Sequence, residues 1–296
     1  RSELGQQMQS TLSEALPSFL QLEKILKGYD RRGNFLGLFF TDAFMLSDFF
    51  LVRSFLKWKN TYVVKMEEWM DIVSELDAAV SMADFRYNHP EATDAEIVDG
   101  SPVFFEAKNL YHPFLGAKAV KNDFTIQDDN YYIITGANMA GKSTFLRSLG
   151  INYILAMSGM PVFAGSLKVS RFQLFSSMRT TDDLTHGISY FNAELLRLEQ
   201  LMQFCKRGEL RTLIILDEIL KGTNSLDKLN GSRLFLEFIS RMPVTGVIAT
   251  HDLELSRMAE SSPGRFHNYC FEIDLGTDVT YTYKIQPGVA RNQNAT

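Results

Sequence analysis

The chain has 296 residues, enough for one large or two modest domains, and an apolar fraction of 45% with 23 Phe supplies ample material for a core. Its 30 basic side chains against 35 acidic ones give a net charge of −5, which excludes a strongly basic nucleic-acid module over most of the surface; any DNA contact is local or made by other segments. The two cysteines, Cys205 and Cys270, exclude a disulfide framework and place the chain in a reducing, cytoplasmic compartment.

The sequence opens inside a polar segment without an initiating Met or a signal peptide, the pattern of an excised fragment. Residues 35–52 are rich in Phe and Leu. A membrane span needs about 20 apolar residues and tolerates charge poorly. Asp42 and Asp48 fall inside this stretch and Arg53 follows it, so it reads as a buried or partner-facing helix. Residues 61–85 are a clearer helix: Trp69, Ile72, Val73, Leu76 and Val80 recur at the spacing of one apolar face, with Lys65, Glu67, Glu68, Asp71 and Glu75 elsewhere. Residues 1–86 are expected to be helical. The segment Asn88-His89-Pro90-Glu91-Ala92-Thr93-Asp94 breaks helix and marks a boundary, giving a helical connector over 1–90 and a second domain over 91–296.

After the boundary, strands and helices alternate, as in a doubly wound or similar α/β nucleotide-binding sheet. Residues 103–107 and 131–135 read as strands, 142–158 as a helix, and 192–205 and 229–241 as later helices. Residues 269–275 and 279–285, joined through Gly276-Thr277-Asp278, make a hairpin.

Between the strand at 131–135 and the helix at 142 lies Gly136-Ala137-Asn138-Met139-Ala140-Gly141-Lys142-Ser143-Thr144, a complete phosphate-binding loop of the form G-x-x-x-x-G-K-[ST]. The two glycines let the backbone wrap a polyphosphate and turn successive N–H groups onto its oxygens at a helix N-terminus. Lys142 adds a point charge for the β and γ phosphates, and Ser143 offers a hydroxyl to Mg²⁺. Further on, Thr212-Leu213-Ile214-Ile215-Leu216 reads as a buried parallel strand ending in Asp217-Glu218. Asp217 is placed to hold Mg²⁺, and Glu218, on the opposite side of the pleat, to orient and deprotonate an attacking water. A third strand, Gly246-Val247-Ile248-Ala249-Thr250, delivers His251 to the same edge, where it reads either as a sensor of the γ phosphate or as an ordinary surface histidine. Together these residues imply a nucleoside-triphosphate site with Mg²⁺.

The wider pattern resembles the MutS ATPases of DNA mismatch repair. The phosphate loop carries their unusual Asn138-Met139 pair. Tyr111-His112-Pro113 and Lys121-Asn122-Asp123 are similar to the elements that lead into the family's ATPase sheet. Asp182-Asp183-Leu184, Gly187-Ile188-Ser189-Tyr190-Phe191 and Glu194 resemble its signature segment. The run from Leu216 to Asp227 resembles its extended second carboxylate motif, and Ala249-Thr250-His251 its histidine switch. The resemblance implies an ABC-type P-loop ATPase whose two ATP sites are completed across a homodimer, with Ser189 facing the γ phosphate bound by the other subunit. Taken without the family, Ser189 is equally an ordinary helix cap. Thr223, Ser225 and Asp227 are expected near the dimer seam. The resemblance further implies a switch acting on a DNA-clamping dimer, DNA contacts and repair-protein partners mostly through other segments, and no membrane role.

Ala140 in place of a commoner glycine, Leu220-Lys221 in place of Gly-Arg, Tyr190 in place of Thr, and Asp252 in place of an aromatic mark a divergent branch. Phe104-Phe105-Glu106 matches the family's mismatch-reading wedge literally but sits within an expected strand, where it is a coincidence. Two other readings stay open: a different ABC-type ATPase, such as a transporter motor or a chromosome-organising protein, although the Leu-Ser-Gly-Gly signature of those proteins is missing, and a nucleotide-gated structural dimer with negligible turnover.

Overall fold

The computed structural model describes residues 3–30, 47–100, 102–178, 190–207, 210–220, 225–275 and 279–291. They fall into two compact units, Arg1–Asn88 and His89–Thr296.

The described part of the first unit is helical: α1 (Glu3–Leu12), α2 (Ala15–Asp30) and the 42-residue α3 (Ser47–Asn88). Two indoles of α3 organise it. Trp58 donates to the backbone oxygen of Ser18 at 2.9 Å, and Trp69 to that of Thr11 at 3.1 Å, so both rings are buried with their N–H groups satisfied. Phe19 packs on Trp69, and Lys65 pairs with Glu14. The apolar face expected along residues 61–85 is covered only in part. Trp69 is buried, but Val73, Leu76 and Val80 remain 50%, 42% and 59% exposed. The reason is length: at 1.5 Å per residue α3 runs about 63 Å, whereas α1 and α2 reach only about 15 and 24 Å. Of the Phe-rich stretch, residues 47–52 begin α3, and residues 31–46 lie outside the described residues. Among the described residues no helix is long and apolar enough to cross a membrane.

The second unit mixes helices with two sheets. Its elements are β1 (Glu96–Val98), β2 (Phe104–Leu110), β3 (Asn122–Gln127), β4 (Tyr131–Gly136), α4 (Lys142–Met157), β5 (Ser166–Ser170), β6 (Gln173–Ser177), α5 (Tyr190–Arg207), β7 (Thr212–Asp217), α6 (Ser225–Ile239), β8 (Val244–Ala249), α7 (Met258–Ser261), β9 (Phe266–Leu275) and β10 (Val279–Pro287). The principal sheet has the order β10-β9-β4-β8-β7-β6. It is parallel from β9 to β6, with β10 antiparallel on its edge. A smaller sheet, β1-β5-β2-β3, was not foreseen as a separate layer. Its strands are short, and sequence alternation alone cannot say which sheet a strand joins. Phe104-Phe105-Glu106 lies in β2, paired on both sides, with Phe105 buried in the core.

Every residue of β4, β7 and β8 is buried, as expected for parallel strands covered on both faces. Tyr132 and Ile134 of β4 pack with α4 and the smaller sheet, through Leu146, Leu149, Phe105 and Ile126. Tyr131 and Ile133 face the other way, onto Leu201 of α5 and Leu236 of α6. The pairing of β8 with β4 is tightest at one small residue. Gly246 of β8 lies in register with Tyr131, whose ring stacks on Phe266 and whose hydroxyl donates to Ile239 O at 3.0 Å. A Cβ at Gly246 would sit 2.7 Å from that ring. With the ring anchored at both ends, Gly246→Ala is expected to destabilise the protein by about 1–3 kcal/mol. Denaturant titration should show a lowered midpoint at unchanged slope.

Candidate functional site

The site is built by register. Ala249 of β8 is aligned with Ile134 of β4 on one side and with Asp217 of β7 on the other, so the C-terminal ends of three parallel strands meet at one level. Glu218 N donates to Ala249 O and Thr250 N to Ile134 O, both at 2.9 Å, which carries the pairing one residue past each strand. The phosphate loop, the Asp217-Glu218 pair and His251 thus arrive at one sheet edge, with β8 between the other two strands. They line a cavity of about 370 Å³ together with Asn138, Met139, Gly141, Ser143 and Thr144.

The loop conformation explains its glycines. Gly136 has φ +146° and Gly141 φ +110°, values L side chains rarely adopt, and a Cβ on Gly136 would meet the Phe271 carbonyl at 2.8 Å. Met139, at φ +65°, adopts the left-handed region without being glycine. Gly141 caps α4 without a side-chain hydrogen bond, so the first N–H groups of that helix face the cavity end. The Lys142 ammonium donates to the carbonyls of Gly136 and Ala137, at 2.6 and 2.8 Å, folding the side chain along its own loop.

The two carboxylates differ. Asp217 is buried, and among the described residues its Oδ2 has no hydrogen-bond partner. An orphaned carboxylate oxygen on the wall of a cavity that Ser143 also lines fits a hard cation that keeps most of its waters and takes phosphate oxygens as further ligands. Among the described residues no group of three or more His, Cys, Asp or Glu is arranged around a metal, and a cation held mainly by phosphates needs none. Glu218 is the opposite case. Its backbone is left-handed, at φ +71°, and its Oε1 accepts from Lys228 Nζ at 2.5 Å and pairs with His251 Nδ1. His251 is a surface histidine at the cavity edge: its side chain is 55% exposed, and its ring contacts the Glu218 carboxylate and lines the cavity. Ser189 and Thr223 lie outside the described residues.

Sequence reasoning passed over Tyr283 and Lys228, and gave Asn122 no part in the site. Tyr283 belongs to β10, 66 residues beyond Asp217, with φ +52° at a register shift, and its ring lies against Gly141 on the cavity wall. Asn122 holds that irregularity, donating to Tyr283 O at 3.1 Å and accepting from Ile285 N at 2.9 Å. Only the bulge was a possible signal, and bulges leave no local sequence mark. A second cavity of about 330 Å³ shares Gly141, Thr144 and Tyr283 with the first and continues along Leu110, Tyr111, His112 and Val120. His112 caps the following turn by accepting from Phe114 N. Burial, with the Arg147 guanidinium as a second cause, holds it below the usual imidazole range. Cys205 and Cys270 are buried free thiols; burial first, then Glu272, pushes Cys270 up to about 11.

A glycine loop closing on a helix N-terminus at the edge of a parallel sheet, opposite a buried carboxylate, defines a P-loop nucleotide-binding domain. Residues 132–295 match the family profile of MutS domain V, and the chain belongs to the MutS family. A DNA mismatch repair protein MutS from Rickettsia bellii is 35% identical over 212 residues, covering 69% of this chain and 23% of the relative. Proteins of that name from Acetivibrio thermocellus and Staphylococcus haemolyticus are 31% and 28% identical over 234 and 241 residues, covering 74% and 77% of this chain and 26% of each relative. The chain spans about a quarter of the length of the curated relatives it matches.

The orphaned Asp217 oxygen carries a stability consequence. Leaving a buried acceptor unsatisfied costs about 1–3 kcal/mol. Asp217→Ala is therefore expected to leave the nucleotide-free protein at least as stable as the parent while removing the Mg²⁺-dependent part of nucleotide affinity. Thermal melts without ligand, beside nucleotide titrations with Mg²⁺ and with EDTA, check both halves.

Proposed function

We propose that this chain is the ATP-binding and ATP-hydrolysing part of a MutS-like DNA repair protein, in which nucleotide state switches a DNA-clamping dimer. Residues 1–90 serve as a helical connector and 91–296 as an ABC-type ATPase domain. The observation that carries the reading is the convergence of Lys142, Ser143, Asp217, Glu218 and His251 on one cavity from three strands in register. Shared ancestry with proteins named for mismatch repair supports the pathway, and the absence of excess positive charge agrees with DNA contacts made mostly elsewhere.

In this mechanism the loop from Gly136 through Thr144, including Ala137, Asn138, Met139, Ala140 and Gly141, wraps the triphosphate with its N–H groups. Lys142 exchanges its own loop carbonyls for the β and γ phosphates. Ser143 and Asp217 would hold Mg²⁺, which would supply neutralisation of charge on the transferring phosphoryl group. Glu218 orients water in line with the γ phosphorus and takes its proton after the bond to the bridging oxygen has largely broken. His251, in contact with Glu218, registers the γ phosphate. The second cavity, largely apolar and bordered by Tyr283, accommodates base and ribose. Most of the rate comes from positioning and electrostatics. Ser189 completes the site of the partner subunit in a homodimer.

Glu218→Gln is expected to keep ATP binding and to cut hydrolysis by about two orders of magnitude, the scale of a lost general base. Lys142→Ala should instead weaken nucleotide binding itself. Steady-state phosphate release beside equilibrium nucleotide titration separates the two, and undiminished turnover in the Glu218 variant removes the base assignment.

The composite site makes a separate prediction. A mixture of Lys142→Ala and Ser189→Ala chains should regain activity that neither has alone, because each mixed dimer holds one intact site. Confirmed heterodimers with no gain would place Ser189 in its own subunit's structure.

A further inference from the structure

Lys228 is in an unusual place for a lysine. It sits near the start of α6, where the helix macrodipole disfavours a cation, and its side chain is only 13% exposed. Half-buried lysines occur where a partner compensates them, and here the partner is the Glu218 carboxylate, itself 19% exposed. The Lys228 ammonium also lies 3.4 Å from His251 Nε2, so lysine, glutamate and histidine form a closed triangle. Glu218 and His251 line the 370 Å³ cavity, and Lys228, which is not among its lining residues, contacts both of them.

Glu218 needs such a support. It follows the last residue of β7, and its φ of +71° is a strained backbone conformation for a non-glycine residue. Strain of this kind persists only where surrounding contacts over-determine the geometry. A carboxylate on a three-bond side chain at a strand end has several rotamers, most of them leading to solvent. A charge-assisted bond from a half-buried ammonium selects one of them.

We propose that Lys228 is a positioning residue for hydrolysis: it acts through Glu218, locking the carboxylate and, across it, the His251 ring in the orientation that meets the attacking water. The inference rests on the reading of Glu218 as the water-orienting group. Pairing with an ammonium makes a carboxylate a weaker base. In a loose phosphoryl-transfer transition state, little proton abstraction has occurred and orientation matters more. Removing the lysine therefore lowers turnover. The sequence signal was one residue beyond the carboxylate motif, at Lys228 directly after Asp227, where a lysine on a helix reads as solvated surface.

The test uses the whole protein with Lys228→Met, Lys228→Arg, Glu218→Gln and the Lys228→Met/Glu218→Gln double variant. Turnover at saturating ATP and the dissociation constants of ATP and ADP are measured for each. Lys228→Met should lower kcat at least tenfold with both dissociation constants within about twofold of the parent, since the lysine is not among the residues lining the cavity. Lys228→Arg should recover part of the loss. In the Glu218→Gln background, Lys228→Met should cost little further, the non-additivity expected of residues acting as one unit. Unchanged or raised kcat in Lys228→Met overturns the proposal, as does an equal fractional loss in both backgrounds, which marks a general structural role. A parallel fall in nucleotide affinity also overturns it, by making the lysine a ligand contact. If Glu218→Gln itself turns over normally, the failure lies with the assignment of the base and not with Lys228.

Discussion

The site depends on the alignment of β4, β8 and β7. Parallel strands have no side-chain freedom to adjust along their length: a shift of one residue reverses every face and moves the strand end by about 3.3 Å. Ala249 opposite both Ile134 and Asp217 means that a slip in either pairing would withdraw the phosphate loop or the carboxylates from the common edge. What pins the register is the two-sided burial of these strands. Tyr131, Ile133, Ile214 and Ile248 fill one face, and Tyr132, Ile134, Ile215 and Val247 the other, so a slipped strand would have to exchange two complete cores.

Around that edge the backbone departs repeatedly from relaxed geometry. Gly136, Met139, Gly141, Glu218 and Tyr283 all have positive φ, and all five border or adjoin the same cavity. The glycines relieve steric cost, but Met139, Glu218 and Tyr283 do not have that freedom. Glu218 is held by tertiary contacts with Lys228 and His251, and Tyr283 by the Asn122 amide. Strain concentrated at one place and compensated by specific partners is the usual condition of a functional site.

Charge is distributed with a similar division. The buried Asp217 oxygen has no partner among the described residues, whereas Glu218 beside it pairs with Lys228 and His251. One carboxylate suits a cation brought by the ligand, and the other is already oriented by the protein. The helical unit follows a different logic. Its two buried indoles hold short helices against a long one, and much of the apolar surface of α3 stays exposed among the described residues.

From the sequence alone, the phosphate loop, the carboxylate pair, the histidine after the third strand and the main helices of the second unit were legible. Each is a short contiguous pattern whose chemistry requires those residues at those spacings. The helix from Lys142 and the strands ending at Gly136 and Asp217 appear where the apolar runs placed them. Strand order was not legible, because burial on both faces gives β4, β7 and β8 the same apolar reading. The smaller sheet, Gly246 as space for Tyr131, the Tyr283 bulge and the Lys228 contact were also decided only by tertiary structure. Each depends on residues brought together across 10 to 161 positions, and a side chain's partner over such distances is set by packing and leaves no periodic mark in the chain.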